Sequence, residues 1–248
     1  MDIKSIFRNR FAFWAFFIRG NLTFFQSLEL MIFNDFPLIK KERSIKLFGK
    51  PFKVLPGNLK EACGLLDQVI IKNQYHIDLI KKDAVVIDAG ANMGFFSIFV
   101  AVEHPDATVY AFEPTPLTFA ALKNNVKYYP NIKVFNYALG ESEGNVSIVA
   151  MPNCGSNYIG EGGTPIEMKI IDSLNMRMDF LKMDVEGYEG NILKGAKETI
   201  KKWKPIIAMS AYHKPEDKTE LPKLVNSIIP YDCELYHDYE EDFICQPR

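Results

Sequence analysis

Asp184, Glu186, Glu189 and His213 are the side chains in this sequence best suited to moving a proton. Asp184 closes the apolar run Phe180-Leu181-Lys182-Met183, and His213 comes after the run Pro205 to Ser210. Either residue is a candidate general base, a role that typically contributes about 10²–10⁴-fold to a rate. Glu186 and Glu189 stand three positions apart at the predicted start of a helix, which puts them on one face. Glutamates in a first turn are also favoured by the helix dipole alone, and a histidine after a strand is often a surface residue. The same four side chains could instead hold a divalent cation, since oxygen-rich sites with one imidazole suit magnesium or manganese. No tight ligand motif such as H-E-x-x-H accompanies them.

A second group of residues belongs to a ligand loop. Val85-Val86-Ile87-Asp88-Ala89-Gly90-Ala91-Asn92-Met93-Gly94-Phe95 reads as a strand, a glycine turn and the start of a helix. Gly90 and Gly94 let backbone approach a ligand without a Cβ in the way. Glu113 closes the next apolar run, where a carboxylate can accept both hydroxyls of a ribose. A dinucleotide fingerprint would read G-x-G-x-x-G and aim backbone amides at a pyrophosphate. Here the pattern is Asp-x-Gly-x-Asn-x-Gly, and an acid beside a pyrophosphate is unfavourable. It is better matched to the cationic amino-acid end of S-adenosylmethionine, reached directly or through water. The expected cofactor set is Asp88, Gly90, Asn92, Gly94, Phe95, Glu113, Pro114, Ala138 and Asp184.

Strands and helices must alternate to bring these positions together. Strands are predicted at 84–88, 108–112, 132–137, 179–184 and 205–210, with helices after 95 and over 116–127, 193–203 and 220–227. Residues 145–150 and 167–171 read as extra strands around a Gly/Asn-rich loop, and 153–158 with 160–163 as a lid over an acceptor. Residues 233–236 and 243–245 read as an antiparallel pair. Repeated strand-helix-strand units imply a mostly parallel, doubly wound Rossmann-like α/β sheet with right-handed crossovers and an antiparallel C-terminal strand.

Residues 1–60 differ in character. Ile3, Ile6, Phe7, Phe11, Phe13, Trp14, Phe17 and Ile18 share one helical arc, with Lys4, Arg8 and Arg19 outside it. This predicts a helical extension that caps the main domain, packs on a partner in a homo-oligomer, or lies through residues 1–35 on a membrane surface. The apolar run from Phe11 to Ile18 is too short to span a bilayer, and no cleavage site comes after it. Residues 45–56 read as a short strand or hairpin. A formal net charge of -2 argues against nucleic acid as a partner. Cys63, Cys154, Cys233 and Cys245 form no C-x-x-C pair, so thiols in a reducing cytoplasm are expected, with attachment to the inner membrane face as a variant.

Two further stretches carry a resemblance. Lys182-Met183-Asp184-Val185-Glu186-Gly187-Tyr188-Glu189 leads into Leu193-Lys194-Gly195-Ala196, and Ser210-Ala211-Tyr212-His213-Lys214-Pro215 lies further on. With the Asp88 loop and Phe112-Glu113-Pro114, they resemble the FkbM-type family of S-adenosylmethionine-dependent methyltransferases from about residue 83 to 217. The resemblance implies a class I methyltransferase domain over 61–248 and O-methylation of a hydroxyl on a sugar, glycan, glycolipid or related small molecule. On that reading Glu186 and Glu189 bind acceptor hydroxyls or hold the site open. Tyr188 and Gly190-Asn191 depart from the usual pattern.

Rival readings are a Rossmann-type NAD-dependent oxidoreductase or epimerase, and a non-catalytic membrane or protein docking module. The first wants a third glycine and often a Tyr-x-x-x-Lys pair, both absent from the sequence. The second does not require Asp88, Glu113 and Asp184 at three separate strand ends. A nucleic-acid methyltransferase would show an Asn/Asp-Pro-Pro-Tyr motif, which is also missing.

Overall fold

The computed structural model describes residues 43–55, 59–149, 158–237 and 240–248. The amphipathic helix and membrane-surface segment expected within 1–35, and residues 153–157 of the expected lid, lie outside the described residues. The chain divides into two compact units, Met1–Asp67 and Gln68–Arg248.

In the first unit β1 (Arg43–Leu47) and β2 (Lys50–Val54) form an antiparallel hairpin, followed by α1 (Leu59–Leu65). Phe48 and Gly49 join the strands with φ of 46° and 76°. Two positive φ values in a two-residue loop give a turn whose twist matches that of the strands.

The second unit is built on a seven-stranded sheet. The chain runs β3 (Val85–Ala89), α2 (Phe95–Glu103), β4 (Thr108–Phe112), α3 (Pro116–Val126) and β5 (Ile132–Phe135). An insertion comes next: β6 (Ala138–Leu139), β7 (Gly144–Val149), β8 (Tyr158–Ile159) and β9 (Thr164–Lys169). The main sheet resumes with β10 (Phe180–Met183), α4 (Glu189–Lys194), α5 (Lys197–Trp203), β11 (Ile206–Ser210), α6 (Asp217–Ile228), β12 (Tyr231–Tyr236) and β13 (Asp242–Pro247). Its spatial order is β12-β13-β11-β10-β3-β4-β5. β5, β4, β3, β10 and β11 pair in parallel, and β13 runs antiparallel to both of its neighbours, β11 and β12. The last strand is therefore inserted inside the sheet rather than added at its edge.

Every residue of β10 is buried, as are Val86, Ile87, Asp88 and Ala89 of β3. Continuous burial is what apolar runs of this length predict for strands covered on both faces. Ile87, Leu181, Met183, Ile192, Leu193, Ile207 and Val225 share one core cluster. β3 has β4 on one side and β10 on the other, so the winding direction reverses between β3 and β10. Open α/β sheets bind ligands outside the carboxyl ends of their strands at such a reversal.

The insertion forms its own four-stranded sheet, ordered β6-β9-β7-β8. This corrects the expected single strand 132–137: the main sheet keeps only Ile132–Phe135, and the chain then crosses to the second sheet at Ala138. Strand 167–171 is likewise shifted, ending at Lys169 before a 3₁₀ turn over Ile171–Leu174. Gly160 to Gly163 connects β8 to β9. The expected helix over 193–203 is two helices, interrupted at Gly195 and Ala196.

The cysteine expectation is also corrected. Cys233 and Cys245 face each other across β12 and β13 and form a disulfide, with Cα atoms 4.0 Å apart, while Cys63 is a free, buried thiol. Strand register brings the two sulfurs together, and a spacing of 12 residues gives no hint of it. No helix among the described residues is long and apolar enough to cross a membrane.

Candidate active site

The loop after β3 is held from three directions. Gly90 N and Ala91 N each donate to Phe112 O, 3.0 Å away at the end of β4. Asp184 N donates to Ala89 O from the end of β10 at 3.2 Å. A Cβ on Gly90 would lie 2.0 Å from Asp184 O, and φ there is +75°. At Gly94, with φ +101°, a Cβ would lie 2.9 Å from Leu122 Cδ1. Both glycines are thus needed for left-handed backbone and for packing within the protein, a reason other than the ligand clearance expected from the sequence. Asn92 also adopts positive φ, 49°, and Phe95 is buried at the start of α2.

Asp88 is fully buried and its carboxylate faces inward. Oδ2 accepts from Ser97 Oγ at 2.6 Å, and Oδ1 lies 3.2 Å from Lys182 Nζ. The side chain sequence analysis assigned to a cationic ligand thus faces Ser97 and Lys182 in this structure. Lys182, itself 3% exposed, also donates to Gly90 O at 2.8 Å. Glu113 stands at the end of β4 with only 6% exposure. Its Oε2 accepts from Asn92 N at 3.0 Å and its Oε1 from Thr115 N at 2.9 Å. Burial pushes its carboxyl up to about 7, against these hydrogen bonds and the charge of Lys182. The Thr115 side chain bonds it as well, so three protein donors face the carboxylate and one lone pair is left for a hydroxyl donor. Pro114 is half-buried beside it, and Asn136 Nδ2 donates to both Glu113 O and Pro114 O. Ala138 packs with Ile148, Ile166 and Met168 in the small core of the second sheet.

The structure brings Asp184, Glu186, Glu189 and His213 together. His213 Nε2 lies 3.5 Å from Asp184 Oδ1 and 3.5 Å from Glu186 Oε2, and Nδ1 lies 3.2 Å from Glu189 Oε1. Glu189 opens α4 and is wholly buried; Val185 N donates to its Oε1 at 3.0 Å. Glu186 is not on that helix: it sits in the preceding turn with φ 54°, so it meets His213 from a different side than the expected shared face implied. Burial opposes a charge on His213, but contact with Glu189 and the charges of Asp184, Glu189 and Glu186 outweigh it and raise the imidazole to about 9. The shift favours the protonated imidazole, which cannot accept a further proton. Glu186 is raised to about 7, by burial first and by the neighbouring acids, with His213 pulling the other way. Ligand atoms of Asp184, Glu186 and His213 lie within 4.8 Å of one another, a spacing a cation could bridge.

Residues 88–240, more than half of the chain, match the methyltransferase FkbM domain. The chain belongs to the FkbM methyltransferase family. The match sets aside the NAD-dependent reading. Among curated relatives, the hexuronic acid methyltransferase AglP of Haloferax volcanii is 29% identical over 57% of this chain and 62% of its own. The 2-O-methyltransferase NoeI of Sinorhizobium fredii is 24% identical over 50% of this chain and 62% of its own. A crystal structure of the methyltransferase FkbM from Methylobacillus flagellatus superposes with a TM-score of 0.57 at 21% identity, covering 98% of this chain and 60% of that one. The chain thus spans about three fifths of the length of these relatives. The structural likeness establishes the FkbM fold, a class I methyltransferase sheet.

Several residues around Asp184 were given no role by the sequence. Tyr75 OH donates to Asp184 Oδ2 at 3.1 Å and Tyr212 OH to Asp184 Oδ1 at 3.4 Å, so the carboxylate is held at both oxygens. Tyr212 also bonds Glu240. Asp242, raised to about 7 chiefly by burial, accepts from Ser210 Oγ at 2.9 Å and Gln74 Nε2 at 2.6 Å. Tyr75, Gln74 and Asp242 come from loops and strands far from Asp184 in sequence and carry no motif. Lys182 did leave a signal: a lysine between Leu181 and Met183 in a buried strand requires a buried partner.

Proposed function

We propose that this chain is an S-adenosylmethionine-dependent O-methyltransferase acting on a hydroxyl of a sugar or sugar-like molecule. The observation that carries this reading is the convergence of Asp184, Glu186, Glu189 and His213 beside the loop after β3. Family membership supports the methyl donor, and the names of AglP and NoeI support a sugar-type acceptor.

The residues fit such a cofactor. Glu113 keeps one lone pair for a ribose hydroxyl beside its bonds to Asn92 and Thr115, while Asp88 and Lys182 hold the loop rather than the ligand. S-Adenosylmethionine supplies the methyl group. Asp184 is the proton acceptor: it ends the strand next to the loop, and its side chain is 21% exposed, open to an acceptor. With the methyl donor bound beside the loop, Asp184 would take the proton released by the acceptor hydroxyl as the methyl group is transferred to it. His213, protonated by its acidic neighbours, orients and balances these carboxylates instead of accepting the proton itself. Tyr75 and Tyr212 fix the rotamer of Asp184, so alignment is established before the reaction. Glu186, at the rim, hydrogen-bonds a neighbouring acceptor hydroxyl.

The clustering of Asp184, Glu186 and His213 favours one second reading, a magnesium or manganese ion that lowers the pKa of the acceptor hydroxyl. An imidazole ligates only when neutral, so ion binding would have to expel the proton of His213. Turnover abolished by a chelator and restored by either ion supports it; turnover indifferent to chelator overturns it.

Calorimetric titration with S-adenosylhomocysteine, beside NAD and with Glu113→Ala, tests the main reading. Binding of the homocysteine compound alone, weakened at least tenfold in the variant, is expected. Binding of NAD in its place overturns the proposal. Methyl hexuronosides and neutral pyranosides are the first acceptors to screen.

A further inference from the structure

We infer that Lys182 is a positioning residue for the cofactor loop, its ammonium setting where the backbone of Ala89 and Gly90 stands. The inference rests on the reading of that loop as the cofactor site. Lys182 lies in a strand buried throughout and is paired in register with Asp88 on β3. Its Nζ lies 3.2 Å from Asp88 Oδ1, 2.8 Å from Gly90 O and 3.4 Å from Ala89 O. One cation therefore holds three consecutive residues at the strand end. Asp88 passes the constraint on to α2, since Ser97, wholly buried in the first turn of that helix, donates to its other oxygen. The ring of Tyr75 lies 5.4 Å from the ammonium, and its hydroxyl reaches Asp184. The loop and the proposed proton acceptor thus share one scaffold.

Stability alone does not explain such a lysine. A buried ion pair seldom outperforms apolar side chains of similar volume, because desolvation consumes most of the Coulombic gain. An apolar pair would fill the same space, leave the Gly90 carbonyl free to tilt, and leave Ala89 O held by Asp184 N alone. What the ammonium adds is direction: it offers hydrogens at fixed angles to the oxygens of Gly90 and Ala89.

The test separates charge balance from positioning. Wild type, Lys182→Met, the double variant Asp88→Asn/Lys182→Met and the double variant Asp88→Asn/Lys182→Gln are compared by thermal melting and by calorimetric titration with S-adenosylhomocysteine. Lys182→Met alone is expected to melt lower, since it strands a buried carboxylate. The Asn/Met double recovers most of the melting temperature, yet its affinity stays at least tenfold below wild type. The Asn/Gln double, which returns a donor to the carbonyls, regains at least threefold over the Asn/Met double. Wild-type affinity in the Asn/Met double would overturn the inference, leaving Lys182 a mere counter-ion of Asp88. Equal affinities in the two doubles would overturn it as well. No binding by wild type would overturn the cofactor reading itself, and this inference with it.

Discussion

His213 takes its chemistry from its neighbours. Three carboxylates within 3.5 Å raise its imidazole despite burial, which favours the cationic form of a side chain that reads as a base in sequence. Its folded value of about 9 lies above the ordinary 6.5, so its stabilisation is complete below 6.5 and is lost as pH rises through 9. Melting temperature is expected to fall across that window, and His213→Gln to flatten the fall; a wild type with no slope there contradicts the assignment. The proton acceptor is tested separately. Asp184→Asn keeps an acceptor for one tyrosine hydroxyl but removes the base, and kcat is expected to drop by about 10²–10⁴-fold. A loss below about threefold with any acceptor would remove Asp184 from that role.

At the scale of elements, the β3–α2 connection is where sequence and packing interlock most closely. Gly90→Ala forces a side chain into left-handed backbone and drives Cβ against the carbonyl of Asp184, a rigid neighbour. A cost of at least about 3 kcal/mol is expected from strain and clash together. Gly94→Ala meets side-chain ends alone, Leu122 Cδ1 first and then Val126 Cγ1, and should cost less, about 1–3 kcal/mol. Denaturant titration of the two variants checks the order; equal costs would mean that φ alone matters. The same logic explains which element boundaries were legible. β4 falls at Thr108–Phe112 as predicted, because a continuous apolar run bounded by polar residues has one reading. The run 132–137 was ambiguous, since its second half leads into a strand of another sheet.

Over the whole molecule, the closing strand matters most. β13 lies between β11 and β12, so the C-terminal residues complete the sheet interior, and Ser210 and Asp242 meet across that junction. The Cys233–Cys245 disulfide links the last two strands across a separation of 12 residues. Closing a loop of that size contributes about 2–3 kcal/mol in the chain-entropy account. Reduction should therefore lower the melting temperature by roughly 4–12 °C. The fold should survive, because six register pairs hold the two strands without it. A reduced protein that no longer melts cooperatively would show that the bond is essential to the sheet.

By itself the sequence determined the alternating α/β order, the glycine loop and the acids at three strand ends. Each is written locally, in the period of apolar residues and in the side chain that closes each run. The family resemblance lay in the same short stretches, chiefly Lys182 to Glu189. Tertiary structure alone decided that Asp88 turns inward to Lys182, that His213 favours its cationic form, that two tyrosines grip Asp184, and that two cysteines pair. These depend on which strands become neighbours and at what register, and electrostatic environment is set by distances in space that spacing along a chain does not encode.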